Sequence, residues 1–137
     1  MKNKIKQFYR LLSVIILFTV IFIYSCELDE GQNGVSLDGV WSCHEDHQDF
    51  GESTYTIDIE ESGTDIRIYN FLQLGSSVSA LAHVSGKSVT IPDQIIDNHE
   101  IKGSGIISSD YNTITIQHTD DDGTNDQAAV TSVYTRQ

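Results

Sequence analysis

Residues that could bind a metal ion or carry out acid–base chemistry are concentrated in two short segments. The first, CHEDH from Cys43 to His47, combines a thiol, two imidazoles and two carboxylates. On a strand, alternate residues share a face, so Cys43, Glu45 and His47 would point the same way. No second pair of Cys or His residues follows at the spacing of a zinc finger. We therefore predict histidines exposed to solvent at the end of a strand, and no metal site.

The second segment is the acidic run DDDGTND, which covers residues 120–126. Its composition is similar to that of a calcium-binding loop. However, aligning Gly123 with the sixth loop position places His118 first and Ala129 twelfth, where such a loop requires Asp and Glu. We therefore predict an acidic hairpin turn, and we expect no cofactor.

Motifs of enzyme chemistry are incomplete. The segment Ser85-Gly86-Lys87-Ser88 ends like a phosphate-binding loop, but Leu81 stands where the first Gly is required. The sequence has no Gly-x-Ser-x-Gly nucleophile elbow. With twenty acidic residues, close pairs of carboxylates are expected by chance. The sequence therefore predicts a protein that is not an enzyme.

Charge is distributed unevenly along the 137 residues. Four of the eight Lys and Arg residues lie within the first ten positions, and all twenty acids follow residue 26. Without residues 1–25, the remaining 112 residues hold four basic and twenty acidic side chains, a formal charge of −16. A chain this acidic is repelled by phosphate backbones, which excludes nucleic acid as a partner. Its length suits one domain.

The first 25 residues follow the plan of a secretory signal peptide, with basic, apolar and small residues in that order. The apolar run from Leu11 to Tyr24 has 14 residues. A membrane-spanning helix needs about 20. We therefore predict that residues 1–25 are removed rather than retained as a membrane anchor.

The end of the apolar run, Ile23-Tyr24-Ser25-Cys26, resembles the lipobox of bacterial lipoproteins. The resemblance implies that Cys26 carries a diacyl group on sulfur and, after cleavage, an acyl chain such as palmitate on its amine. Two or three chains make a stable membrane anchor, whereas one chain binds marginally. Glu27, Asp29 and Glu30 resemble a tag for export to the outer membrane. The sequence therefore predicts a lipoprotein anchored in the outer membrane, on its periplasmic or cell-surface side.

From residue 37 onward, apolar and polar residues alternate with the period of a β-strand. We predict a polar tether over residues 26–36 and a β-domain over 37–137. Turn signals separate eight strands, which favours an antiparallel up-and-down barrel, although open sandwiches fit the same pattern. Pro92 is expected to end its strand. If the other cysteine is acylated, Cys43 has no disulfide partner and is expected to be a small buried side chain.

The segment Gly39-Val40-Trp41, at the start of the first strand, resembles the Gly-x-Trp signature of lipocalins and related calycins. In that group the Trp closes the base of an eight-stranded barrel, and a basic residue from the last strand lies across its face. The resemblance implies that Arg136 covers Trp41, which is a favourable cation–π contact. The likeness is to small lipocalin-like bacterial lipoproteins of unknown activity, so it implies no particular ligand.

Counting strands assigns each loop to one end of such a barrel. Three histidines, His47, His99 and His118, fall at the end opposite Trp41, with ten acids and no Lys or Arg. The ten acids are Asp46, Asp49, Glu52, Asp93, Asp97, Glu100, Asp120, Asp121, Asp122 and Asp126. Such a mouth attracts cations, metal ions or basic partners. Alternatively, the acids only keep the loops soluble.

Two hypotheses for function follow. The first is a small-ligand-binding barrel that takes a small or partly apolar ligand into its mouth. The second is a structural or interaction protein that docks an envelope partner, such as a cationic protein, through its acidic loops. For the first, the predicted ligand-binding residues share the inward face of the strands: Tyr55, Ile57, Ile66, Ile68, Asn70, Ile116, His118 and Tyr134. Since small barrels can be filled by their own side chains, a cavity is the feature to look for.

Overall fold

The computed structural model describes residues 34–124 and 127–137. Eight antiparallel strands follow one another around a closed barrel, and β1 pairs with β8 to close it. The strands are β1 Gly39–His47, β2 Gly51–Ser62, β3 Asp65–Tyr69, β4 Ser79–Ser85, β5 Ser88–Ile96, β6 His99–Ile107, β7 Thr113–Asp121 and β8 Ala128–Arg136. The predicted eight-stranded up-and-down barrel is confirmed, and it is consistent with a lipocalin-like fold.

The predictions for the signal peptide, Cys26 and Asp126 fall outside the described residues. Within the described ranges, no helix has both the length and the apolar character needed to cross a membrane.

Alternate side chains of the strands point into the barrel and fill it. The apolar core consists of Leu37, Trp41, Cys43, Ile57, Ile59, Ile66, Ile68, Phe71, Ala80, Ala82, Val84, Val89, Ile91, Ile101, Ile107, Ile114, Ile116 and Tyr134. Gly103 lets β6 approach β7, because a Cβ atom there would lie 2.5 Å from the Cβ of His118. Cys43 is fully buried, which confirms the prediction of a small buried side chain, and burial raises the pKa of its thiol to about 12. The barrel is therefore packed largely with its own residues.

The base of the barrel is closed around Trp41. The indole ring is fully buried, and its N–H donates to the carbonyl of Leu37 at 3.0 Å. The Cζ atom of Arg136 lies 4.5 Å from the ring centroid. The same guanidinium donates to the carbonyl of Ser36 at 2.6 Å. Since Trp41 and Arg136 are partners in the β1–β8 register, closure of the barrel itself brings the cation over the ring.

Replacing Arg136 with Ala should lower the free energy of unfolding by about 1 to 3 kcal/mol, because the cation–π contact and the packing of the alkyl stem are both lost. Chemical denaturation measures the effect. Arg67→Ala is the matched control, since Arg67 is an exposed cation on the outer face of β3. Overlapping unfolding curves for Arg136→Ala and the parent would show that the terminal strand contributes nothing at the base.

The wall between β4 and β5 is completed by a side chain. The two strands pair over three residues near the base, from His83 to Ser85 on β4. Nearer the mouth, Gln94 Oε1 accepts the Leu81 N–H at 2.9 Å, and Gln94 Nε2 donates to the Leu81 carbonyl at 2.8 Å. The amide of Gln94 therefore replaces a pair of ladder hydrogen bonds.

This arrangement explains a wrong prediction about Pro92. The proline lies inside β5 rather than at its end, in an irregularity of register between Ile91 and Gln94. A bulge leaves a residue out of the ladder, so the missing N–H of proline does no harm there.

Gln94→Leu should destabilise the barrel by about 1 to 3 kcal/mol, because the N–H and the carbonyl of Leu81 would both lose their partner. Gln117→Leu is the control for the change in polarity, since Gln117 is an exposed residue of β7. Thermal and denaturant unfolding of the two variants give the comparison. Equal stabilities would contradict a role for the Gln94 amide in closing the wall.

Candidate functional site at the barrel mouth

A cavity of about 280 Å³ lies at the mouth, the end of the barrel opposite Trp41. It is lined by Glu45, His47, Phe50, Gly51, Ser53, Leu72, Gln73, His99 and Asp120. Three of these residues, Glu45, His47 and Asp120, are at most 5% exposed. The cavity therefore combines buried ionisable groups with a few apolar side chains.

Glu45 supplies a buried carboxylate from the end of β1. Its Oε2 accepts the Tyr55 hydroxyl at 2.6 Å and the Ser132 hydroxyl at 3.2 Å. Burial is the main reason why the pKa of Tyr55 lies far above its usual range. The phenol therefore stays protonated and donates its hydrogen bond to Glu45. Among the described residues, no Lys or Arg forms an ion pair with Glu45. Among residues 34–124 and 127–137, the hydrogen-bond donors to this carboxylate are the neutral hydroxyl groups of Tyr55 and Ser132.

Asp120 lies between two histidines. Its Oδ2 is 3.2 Å from His47 Nε2, and its Oδ1 is 2.7 Å from His99 Nδ1. The backbone N–H of Asp49 donates to His47 Nδ1, so that nitrogen carries no proton and the proton of a neutral His47 lies on Nε2. His99 correspondingly donates from Nδ1, which leaves its Nε2 as an acceptor. Both imidazoles therefore donate to Asp120.

His118 lies deeper in the barrel and is 4% exposed. Neither of its ring nitrogens has a hydrogen-bond partner among residues 34–124 and 127–137. Its ring packs against Phe71 with the centroids 4.9 Å apart. Burial lowers the pKa of His118 to about 4; nearby Asp120 opposes that shift and His47 adds to it. The imidazole is therefore neutral at pH 7, with its one N–H unsatisfied at a cost of about 1 to 3 kcal/mol.

One wall of the cavity comes from the strap, which we define as residues 70–78 between β3 and β4. Phe71–Gln73 form a short 3₁₀ turn in which Leu72 and Gln73 have positive φ angles of 53° and 57°. Left-handed backbone in residues other than glycine costs roughly 1 to 3 kcal/mol, so tertiary contacts must hold it. Phe71 is buried in the core, and Gln73 Nε2 donates to Ser53 Oγ at 2.9 Å. These contacts fix the strap against β2.

The eight residues predicted to bind ligand are placed elsewhere. Five of them are core side chains: Ile57, Ile66, Ile68, Ile116 and Tyr134. Tyr55 reaches the site through its hydrogen bond to Glu45, and His118 lies next to Phe71. Asn70 begins the strap, where its Nδ2 donates to the Thr56 carbonyl at 2.8 Å. None of the eight is among the described residues that line the mouth cavity, and their binding of ligand stays a prediction.

The prediction that the Cys43–His47 segment ends in solvated histidines is wrong for His47, which is 5% exposed. The rule of alternation had placed Cys43, Glu45 and His47 on one face, and that face points inward. Asp120 shares the parity of Ile114 and Ile116, so the same rule could have found it. The sequence alone groups Asp120 with the acids of the following turn, because the alternation does not show where β7 ends.

A larger groove, of about 410 Å³, lies on the outer wall beside β2 and the strap. Its lining includes the exposed side chains of Val40, Thr56, Asp58 and Glu60. It also includes Ile57 and Asn70, two of the residues predicted to bind ligand. Buried polar groups fix the orientation of a ligand better than exposed ones, because water does not compete with them. We therefore assign the candidate site to the smaller cavity at the mouth.

No group of three or more His, Cys, Asp or Glu side chains in the described residues is arranged to hold a metal ion. No protein-family model, curated protein or solved structure matches this chain. The fold and the site define a small all-β barrel with a polar cavity at its mouth. Function must therefore be argued from the site, since a fold by itself does not fix an activity.

The stability of the barrel should fall as the pH decreases from about 6.5 to about 4. In this range an unfolded His118 binds a proton, whereas the folded one does not, so protonation stabilises the unfolded state relative to the folded one. The shift corresponds to about 3 kcal/mol. His118→Phe, which keeps a ring against Phe71, should remove this part of the pH dependence. Denaturant unfolding of both proteins across the range measures it, and identical pH profiles would contradict the assignment.

Proposed function

We propose that this protein is an envelope lipoprotein whose barrel mouth binds a small ligand. The observation that carries the proposal is the mouth cavity, where Glu45, His47 and Asp120 are buried yet line open space of about 280 Å³. Ligand sites typically combine apolar walls with a few convergent polar groups. Phe50 and Leu72 provide such walls here. The packed core below the mouth favours a ligand bound near the rim rather than deep in the barrel.

The proposed anchor is lipid on Cys26, in the outer membrane. Ser36 and Leu37, which contact Arg136 and Trp41, show that the chain enters the barrel at its base. An anchor upstream of that point leaves the mouth free to meet ligand from the surrounding medium.

Filling the cavity should abolish binding. Ser53→Tyr places a large side chain in the cavity lining, whereas Thr54→Tyr places the same side chain on the exposed outer face of β2. We expect a fragment collection with cationic, neutral and anionic members to give hits against the parent and Thr54→Tyr by ligand-observed NMR. The same hits should be lost with Ser53→Tyr. Hits that survive in Ser53→Tyr, or no hits at all, would refute a ligand site at the mouth.

Cys26→Ser should abolish lipidation, because the diacyl group of the proposed anchor is attached to the thiol sulfur. Metabolic labelling with a fatty acid and the gel mobility of the mature protein are the measurements. Cys43→Ser is the matched control, since Cys43 is buried in the barrel core and should not affect labelling. Unchanged labelling of the Cys26→Ser protein would contradict the lipobox assignment.

The second candidate function is docking of a basic envelope partner. It is favoured by Phe50, which is 76% exposed at the mouth beside exposed Asp49 and Glu52. An exposed aromatic ring surrounded by charge is typical of an interaction hot spot. Co-purification from solubilised envelopes at low and physiological salt, compared between the parent and Phe50→Ser, tests it. Failure to recover any partner that depends on Phe50 would exclude this function.

A further inference from the structure

The ligand class of the mouth cavity follows from the groups that line it. Resting on the proposed function, we infer that the site takes a small organic cation, namely a primary ammonium group carrying a short apolar or aromatic tail. The polar groups of the cavity select the charged end, and the apolar wall selects the tail.

The charged groups of the lining are hydrogen-bond acceptors. Glu45 accepts from two hydroxyl groups through Oε2, and Asp120 accepts from both imidazoles. His99 commits its Nδ1 proton to Asp120, so its Nε2 offers a lone pair. No Lys or Arg is among the described lining residues. An ammonium group has three donors and no acceptor, and it therefore complements this set.

The electrostatics favour the same class. Glu45 is 5% exposed and has no Lys, Arg or His partner in the described part of the chain, whereas Asp120, which is 4% exposed, is paired with His47 and His99. A buried carboxylate such as Glu45 that has no basic partner is costly, so a ligand that supplies a positive charge gains more than a neutral molecule of the same shape. An anionic ligand would add repulsion to that cost. The affinity of the cavity should therefore be highest for a cationic ligand, lower for a neutral one and lowest for an anionic one.

A second, independent observation is the unpartnered imidazole below the cavity. His118 is more than nine-tenths buried. It precedes Asp120 by two residues and lies on the same face of β7. Neither of its ring nitrogens is hydrogen-bonded within the described residues. Neutral at pH 7, it retains one acceptor nitrogen. His118 is not among the described residues that line the cavity, so it makes the inner wall behind Asp120 polar without contacting the ligand.

The apolar part of the ligand is defined by Phe50 and Leu72. The Phe50 ring lies 4.6 Å from the His47 ring, centroid to centroid, and is 76% exposed. The Phe50 ring can therefore pack against the apolar tail of a ligand without giving up contacts in the protein core. Aromatic faces also attract an ammonium group directly. The volume of about 280 Å³ limits the tail to one ring or a short alkyl chain.

An inorganic metal ion fits the same groups less well. The Asp120 oxygens and the facing nitrogens of His47 and His99 are already engaged with one another at 3.2 Å and 2.7 Å. In the described residues, no three donors converge as a metal requires. An ammonium group can use the remaining lone pairs of these acceptors without breaking the bonds between them.

Three probes of one shape test the inference: benzylammonium, benzyl alcohol and benzoate, titrated into the parent protein at neutral pH and physiological ionic strength. Calorimetry or chemical-shift mapping gives the affinities. We expect benzylammonium to bind at least about tenfold more tightly than benzyl alcohol, and benzoate not to bind. Glu45→Gln, which keeps an acceptor for Tyr55, should weaken benzylammonium about tenfold. Glu100→Gln removes an equal charge outside the cavity and should change affinity less than about twofold.

The outcomes separate the ligand class from the site. If benzyl alcohol binds as tightly as benzylammonium, and Ser53→Tyr removes both, the cavity is a ligand site and the cation assignment is wrong. If Glu100→Gln weakens binding as much as Glu45→Gln, the attraction is general surface charge and the assignment is also wrong. If Ca²⁺ or Zn²⁺ displaces benzylammonium at equal concentration, the site is a metal site instead. Since the comparison of probes uses the parent protein, it holds even if Glu45→Gln fails to fold.

Discussion

The pairing of β1 with β8 is the constraint on which the remaining structure depends. Seven residue pairs, from Trp41 with Arg136 to His47 with Val130, join the first strand to the last. Closure leaves no exposed sheet edge along this seam, and it assigns every residue of a strand to the inside or the outside. The register that brings Arg136 over Trp41 at the base also places His47 at the mouth, close to the turn that connects β7 with β8. The base and the mouth are therefore two consequences of one ladder.

Packing differs between the two ends because the side chains available at each end differ. Near the base, aromatic and branched apolar residues fill the narrow interior, with Trp41 fully buried. Toward the mouth, the inward positions carry Glu45, His47, His118 and Asp120, which cannot pack as an apolar core. Hydroxyl and imidazole donors satisfy the carboxylates, while His118 stays without a partner in the described residues. Such costs are tolerated where a polar site serves a function.

The strap shows how the barrel holds this site open. β2 has twelve residues and β3 has five, so β3 ends before it covers the upper half of β2. The strap fills that gap with a left-handed turn, buries Phe71 and hydrogen-bonds to Ser53. Leu72 and Gln73 are thereby brought into the cavity wall. A regular β-ladder in the same place would present alternate side chains along a flat wall.

The sequence by itself determined the eight strands and the face on which each side chain lies, because alternation is a local property. It favoured an antiparallel barrel, but the contact between Arg136 and Trp41 depends on the pairing of β1 with β8, which is tertiary. It also determined that acids and histidines gather at one end. Only the tertiary structure decided which of them are buried, since the last inward residue of a strand depends on where its partner ends. For this reason the sequence predicts Asp120 and His47 in solvent. It predicts that Pro92 ends β5 because alternation does not reveal the bulge between Ile91 and Gln94. The cavity itself depends on the strap, whose left-handed turn has no period that a sequence pattern could reveal.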